Sequence, residues 1–224
     1  MLALTDEDRA LVAAAVTEAE ARSDGEIVTI LAPLSDSYHD VGLHYAVLAM
    51  LLVPVTWGLL PQSWVDWGLG LMFGWNPVLS RGTLMTLLFV KLAGAFLVVR
   101  YALAWMPLRL ALTPTATKAR RVRRRAVQYF RISAERRTIG RTGVLLYLSL
   151  GEHRAEIVAD AAIDAKVAPE TWGEAMAVLI EEVKAGRPGE GMAKAVQRIG
   201  AVLALHFPRS AGDTNELPDK LIEL

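Results

Sequence analysis

The chain of 224 residues contains no cysteine. That excludes a disulfide framework, a thiolate metal site and a cysteine nucleophile. Histidine is nearly as scarce: His39, His44, His153 and His206 are scattered, and no two have the helix or strand spacing of a zinc site. The serines and histidines form no nucleophile-elbow pattern, and no internal repeat is present. Between Met1 and Asp24 a basic leader region is also missing, because Asp6, Glu7 and Asp8 precede any apolar stretch. No cleaved export signal is expected there.

Net charge is absent too, with 24 Lys and Arg against 24 Asp and Glu, but the cancellation hides a strong asymmetry. Ten bases and one acid lie between Lys118 and Arg141, so fourteen bases face twenty-three acids elsewhere. The first long apolar run, Val41 to Leu60, has no charge at all. A second, from Thr83 to Trp105, carries only Lys91 and Arg100. About twenty apolar residues span a bilayer core as a helix, so the pair reads as a transmembrane hairpin inserted into a soluble domain. Pro54 is tolerable in such a helix. Trp57, Trp64, Trp67 and Trp75 read as an interfacial belt around the connector. Lys91 and Arg100 lie toward opposite ends of the second run, where their stems can snorkel in opposite directions.

Bases crowd the C-terminal flank of the second run: Arg109, Lys118, Arg120, Arg121, Arg123, Arg124 and Arg125, against Arg81 alone in the connector. The positive-inside pattern makes that flank cytoplasmic, and a two-span hairpin returns the N-terminal forty residues to the same side. The expected organisation is a helix and strand in residues 1–40, the hairpin in 41–106, the remainder of the soluble domain in 107–208 and a loose polar tail in 209–224. Arg120, Arg121 and Arg124 are candidates for lipid headgroup contact. Nucleic acid is not an expected partner, since Tyr129 and Phe130 are the only aromatics beside the arginines and Phe130 falls on the apolar face.

The soluble elements follow from local patterns. Thr5 before three acids is an N-cap, and Leu11, Val12, Ala15, Val16 and Ala19 recur at helical spacing. Glu26 to Ala32 is a short β-branched strand closed by Pro33. Residues 116–130 form a helix with Ala119, Val122, Ala126 and Phe130 on one face and most arginines on the other. Val144 to Leu150 and Arg154 to Ala159 read as a β-hairpin, followed by helices carrying Trp172, Met176, Leu179, Ile180 and Val183, and then Met192, Ala195, Val196, Ile199, Val202 and Leu203. The predicted fold class is α/β, a small mixed sheet flanked by helices.

If the strand from Glu26 runs parallel to that from Val144, Asp24, Glu26, Asp160 and Asp164 converge at one sheet edge. Such oxygen ligands suit Mg²⁺ or Ca²⁺, which would orient a phosphate for attack by water, with Arg141 neutralising its charge. On that reading Asp160, Asp164 and Arg141 are the candidate catalytic residues. The bland alternative is that these acids cap turns and strand ends.

Three segments, SDGEIV at Ser23–Val28, RTGVLLYLSL at Arg141–Leu150 and RAEIVAD at Arg154–Asp160, together resemble the TPM-domain family of thylakoid acid phosphatase and related envelope proteins. The likeness extends through Trp172 and His206–Pro208 to NELPD at Asn215–Asp219, which is similar to bacterial membrane members. The resemblance implies an α/β sandwich around a central mixed sheet. It also implies activities that include phosphate-ester hydrolysis, divalent-cation binding and assistance to membrane complexes in assembly or repair. The leading expectation is a multi-pass protein of the bacterial inner membrane with both termini cytoplasmic. It would act as an interaction or accessory module whose partners are the bilayer and another membrane protein or a second copy of itself. The runner-up is a divalent-metal-dependent phosphomonoesterase, and a basic lipid or nucleic-acid binder comes third.

Overall fold

A computed structural model of the chain describes residues 4–74, 78–133, 142–210 and 220–224. It divides into two units, residues 4–36 with the described part of 115–224, and residues 37–114.

The first unit is mixed α/β. Helix α1 (Asp6–Glu20) starts at a capping box in which Thr5 and Asp8 satisfy each other's backbone N–H groups. It buries Val12, Ala15, Val16 and Ala19, while Leu11 stays exposed. Strands β1 (Glu26–Ala32) and β2 (Gly143–Ser149) are fully buried and pair in parallel, Glu26 opposite Gly143. Strand β3 (Arg154–Ala159) closes antiparallel on β2, Val144 opposite Ala159. Parallel strands need a long crossover. Here it is made by the whole second unit together with helix α6 (Thr115–Ser133).

Side chains alternate across β1. Ile27 and Leu31 join one core with α1, α8 (Gly173–Lys184) and α9 (Pro188–His206), while Val28, Ile30 and Ala32 join a second core with Val122, Ala126 and Phe130 of α6. The expected apolar face of α6 is therefore the one that packs on the sheet. Trp172 ends a short 3₁₀ turn before α8 and belongs to the first core. Helices α1 and α9 run parallel at very close range, since a Cβ on Gly200 would lie 2.5 Å from that of Ala19 and one on Gly189 would overlap Asp8.

The tail expected to be loose contributes a fourth strand. Ile222–Glu223, β4, pairs in parallel with β1, giving the order β3-β2-β1-β4, and Glu223 takes an ion pair from Arg9 at 2.5 Å. Two residues are too short to carry a strand pattern. Only the open edge of β1 makes them a strand, so local reading had no signal for them. The intervening residues 211–219, which include the whole NELPD segment, lie outside the described set.

The second unit is helical: α2 (His39–Leu59), α3 (Gln62–Phe73), α4 (Arg81–Ala102) and α5 (Met106–Leu112). Helices α2 and α4 pack side by side and antiparallel, because Gly42 neighbours Leu103 while Trp57 meets Lys91. Both are long and apolar enough to cross a membrane by length and composition, and most of their side chains are exposed. The connector was expected as an aromatic belt, and most of it is helix α3. Pro61 sets its start, and Gly74, at φ +84°, ends it. Trp64 and Trp67 project from it, each 69% exposed; Trp75 lies outside the described residues.

Candidate functional site

Of the four acids expected at the sheet edge, Asp24 and Asp160 bond through their carboxylates to backbone N–H groups. Asp160 is buried at the end of β3, where its Oδ2 accepts from the Gly143 N–H at 3.0 Å and its own N–H donates to the Gly143 carbonyl at 2.9 Å. Asp24 Oδ1 accepts from the Ser210 N–H at 2.7 Å, and its carbonyl accepts from the Thr142 hydroxyl at 2.7 Å. Glu26 is buried on β1, and Asp164 is exposed on the one-turn helix α7 (Ala161–Asp164). Among the described residues no group of three or more His, Asp or Glu is placed to hold a metal ion. The physical cause is plain for Asp24 and Asp160: strand ends leave N–H groups that need acceptors, and these two acids supply them. Arg141 lies outside the described residues.

The basic helix is partly consumed in the same way. Arg121 pairs with Asp36 at 3.1 Å, Arg123 with Glu156 at 3.3 Å, and Arg125 donates to the Ser35 carbonyl at 3.1 Å while covering the Tyr129 ring. Of the three expected headgroup contacts, Arg120 and Arg124 are exposed; Arg121 is half-buried against its carboxylate.

At the opposite end of the sheet lies a buried polar network that sequence reading missed. Glu152 accepts from the Ser35 N–H at 2.9 Å through one oxygen and from the Ser149 hydroxyl through the other. Ser35 and Tyr147 share a hydrogen bond at 3.0 Å, and Tyr147 stacks on Tyr129 with centroids 6.0 Å apart. Burial pushes the Tyr147 phenol up, and the bond to Ser35 pulls the other way. The network fixes residues 35 and 36 where the chain leaves β1.

Arg109 is the most heavily engaged side chain of the second unit. It is 2% exposed, and its guanidinium donates to the carbonyls of Leu103 and Ser37, both at 2.6 Å, and to Ala104 at 3.3 Å, with His39 Nδ1 also at 3.3 Å. The cation thus satisfies carbonyls left over at the end of α4 and ties them to the segment entering α2. Lys91 Nζ sits 3.8 Å from the Trp57 ring centroid, a cation–π contact between α4 and α2 in place of a carboxylate partner. The only sequence signal for Arg109 was a lone base in the apolar stretch Met106 to Leu112.

No family model matches the chain, and no curated protein matches it. Among solved structures it is similar to the NMR structure of the BA42 protein from the psychrophilic bacterium Bizionia argentinensis. That match has TM-score 0.56 and 16% identity, and covers 99% of this chain and 95% of the other. At that identity the likeness is one of fold.

Proposed function

We propose that the chain is a multi-pass inner-membrane protein in which a TPM-like α/β domain is held at the cytoplasmic face by a hairpin of α2 and α4, and serves as a non-catalytic interaction or accessory module for membrane complexes. One observation carries the reading. Residues 35–36 and α6, which flank the insertion, belong to a single folded unit and are tied by Arg121–Asp36 and Arg125–Ser35, while the insertion itself holds two antiparallel apolar helices with exposed side chains such as Val55, Phe89 and Val98. Water does not tolerate that much unpartnered apolar surface on a monomer. A bilayer accepts it and requires both ends of the pair on one side. Exposed Arg120 and Arg124 on the flank support a cytoplasmic side and contact with anionic headgroups.

The phosphomonoesterase alternative draws no support from the acidic edge, where Asp24 and Asp160 serve the backbone. Two measurements test the proposal. The full chain should remain with membranes after alkaline carbonate washing. Purified in mild detergent, it should show no phosphomonoester hydrolysis that both chelator and Asp160→Asn remove. Release by carbonate, or hydrolysis lost in both ways, would overturn it.

A further inference from the structure

Helix α4 carries the charges that set its depth. Arg81 opens it and Arg100 lies in its last turn, about 28 Å away at about 1.5 Å per residue. A bilayer core is about 30 Å thick, so on a membrane hairpin these two bases mark its boundaries. Lys91 then falls midway, about 15 Å from Arg81, deeper than a four-carbon stem reaches. In place of the snorkelling expected from the sequence, its ammonium turns onto the Trp57 ring of α2 at 3.8 Å. The ring covers one side of it. Lys91 is otherwise exposed and makes no ion pair among the described residues. Between Val41 and Pro114 the one acid is Asp66, which sits on α3, past the end of α2, and accepts from Gln62.

Around Lys91 the surface of α4 has the spacing of a helix–helix seam. Leu84, Lys91 and Val98 recur every seven residues with Leu87, Gly94 and Tyr101 between them, the a and d places of a heptad. Leu84, Val98 and Tyr101 are exposed, and a Cβ on Gly94 would meet nothing within 4 Å, so a further backbone can approach closely. A single polar residue at an a place selects its partner, and an ammonium in hydrocarbon selects a carboxylate. A second copy of this chain has none at that depth. We propose that the seam receives a transmembrane helix of another membrane protein that carries an aspartate or glutamate at mid-bilayer depth, opposite Lys91. The inference rests on the hairpin reading above and names the chemistry of the partner.

The test uses the full chain in phosphatidylcholine vesicles with dansyl-labelled leucine helices of about 20 residues bearing Asp, Asn or Leu at the centre. Energy transfer from the tryptophans reports association. The Asp helix should bind at least ten-fold more tightly than the Leu helix, with the Asn helix between them. Lys91→Met should bring the three within about two-fold of one another, and Lys91→Asp should transfer the preference to a helix with a central Lys; should the latter variant fail to fold, Lys91→Met decides alone. A chain that carbonate strips from the vesicles would overturn the hairpin reading and this one with it. A chain that stays in them would overturn this one alone if it binds the Asp and Leu helices equally or if Lys91→Met leaves the preference intact. Self-association lost in Lys91→Met would assign the seam to a second copy, and an Asp preference abolished by added phosphatidylglycerol would assign Lys91 to a lipid headgroup; either result would also overturn it.

Discussion

Replacing Arg109 with methionine keeps most of the volume and removes every donor. The side chain makes two short bonds, to the Leu103 and Ser37 carbonyls at 2.6 Å, in a position only 2% exposed. A hydrogen bond from a charged group contributes about 1.5–3 kcal/mol, so losing two predicts a loss of about 3–6 kcal/mol, more than a hundred-fold in the unfolding equilibrium. Arg109→Lys keeps the charge but not the fork that reaches carbonyls on two segments, so its loss should be intermediate. Equilibrium unfolding in detergent, followed by tryptophan fluorescence, reports this directly, because five of the six tryptophans lie in residues 37–114. Arg120→Met, at an exposed site, is the control and should change stability by less than about 0.5 kcal/mol. A loss below about 1 kcal/mol for Arg109→Met, or one no larger than the control's, would refute the view that this arginine clasps the ends of the helix pair.

Other consequences lie in the α/β unit. Thr29 on β1 is 1% exposed, with its hydroxyl unpartnered among the described residues, so Thr29→Val should stabilise by about 1 kcal/mol or more in a denaturant titration. Gly200→Val should cost about 1–3 kcal/mol, because its Cβ would lie 2.5 Å from that of Ala19 and 3.2 Å from the Ala19 Cα, which cannot swing aside. Burial pushes the Glu156 carboxyl up against the opposing pull of Arg123. A raised carboxyl stabilises the fold fully below its ordinary value of 4.5 and loses that contribution as pH rises through the folded value. Glu156→Gln should therefore melt higher than wild type at about pH 7, with the advantage shrinking toward about pH 4. An advantage that does not change with pH would contradict the cause assigned.

Patterns set by neighbouring residues were readable from the sequence. The capping box at Thr5, the strand starting at Glu26, the hairpin of β2 and β3 and the inward face of α6 all follow from spacing within one segment. Long-range partners were not readable. Glu152 reaches Ser35 across 117 positions and Arg109 reaches Ser37 across 72, and neither leaves a periodic trace. Strand β4 exists only because β1 offers it an edge, and α3 was hidden because tryptophans at its surface carry no core-facing stripe. Carboxylates at strand ends read alike in the sequence whether they serve a metal or a backbone N–H, and those of Asp24 and Asp160 accept from backbone N–H groups.

Because the native chain has no cysteine, one introduced thiol at a time reports its own side of the membrane. Exposed Glu18 and Glu170 in the α/β unit and Asp66 on α3 are suitable positions. With a membrane-impermeant maleimide, Glu18→Cys and Glu170→Cys should react only after the inner membrane is opened, and Asp66→Cys should react in intact spheroplasts. Glu18→Cys and Glu170→Cys reacting on opposite sides, or all three behaving alike, would contradict a hairpin that returns both halves of the domain to the cytoplasm.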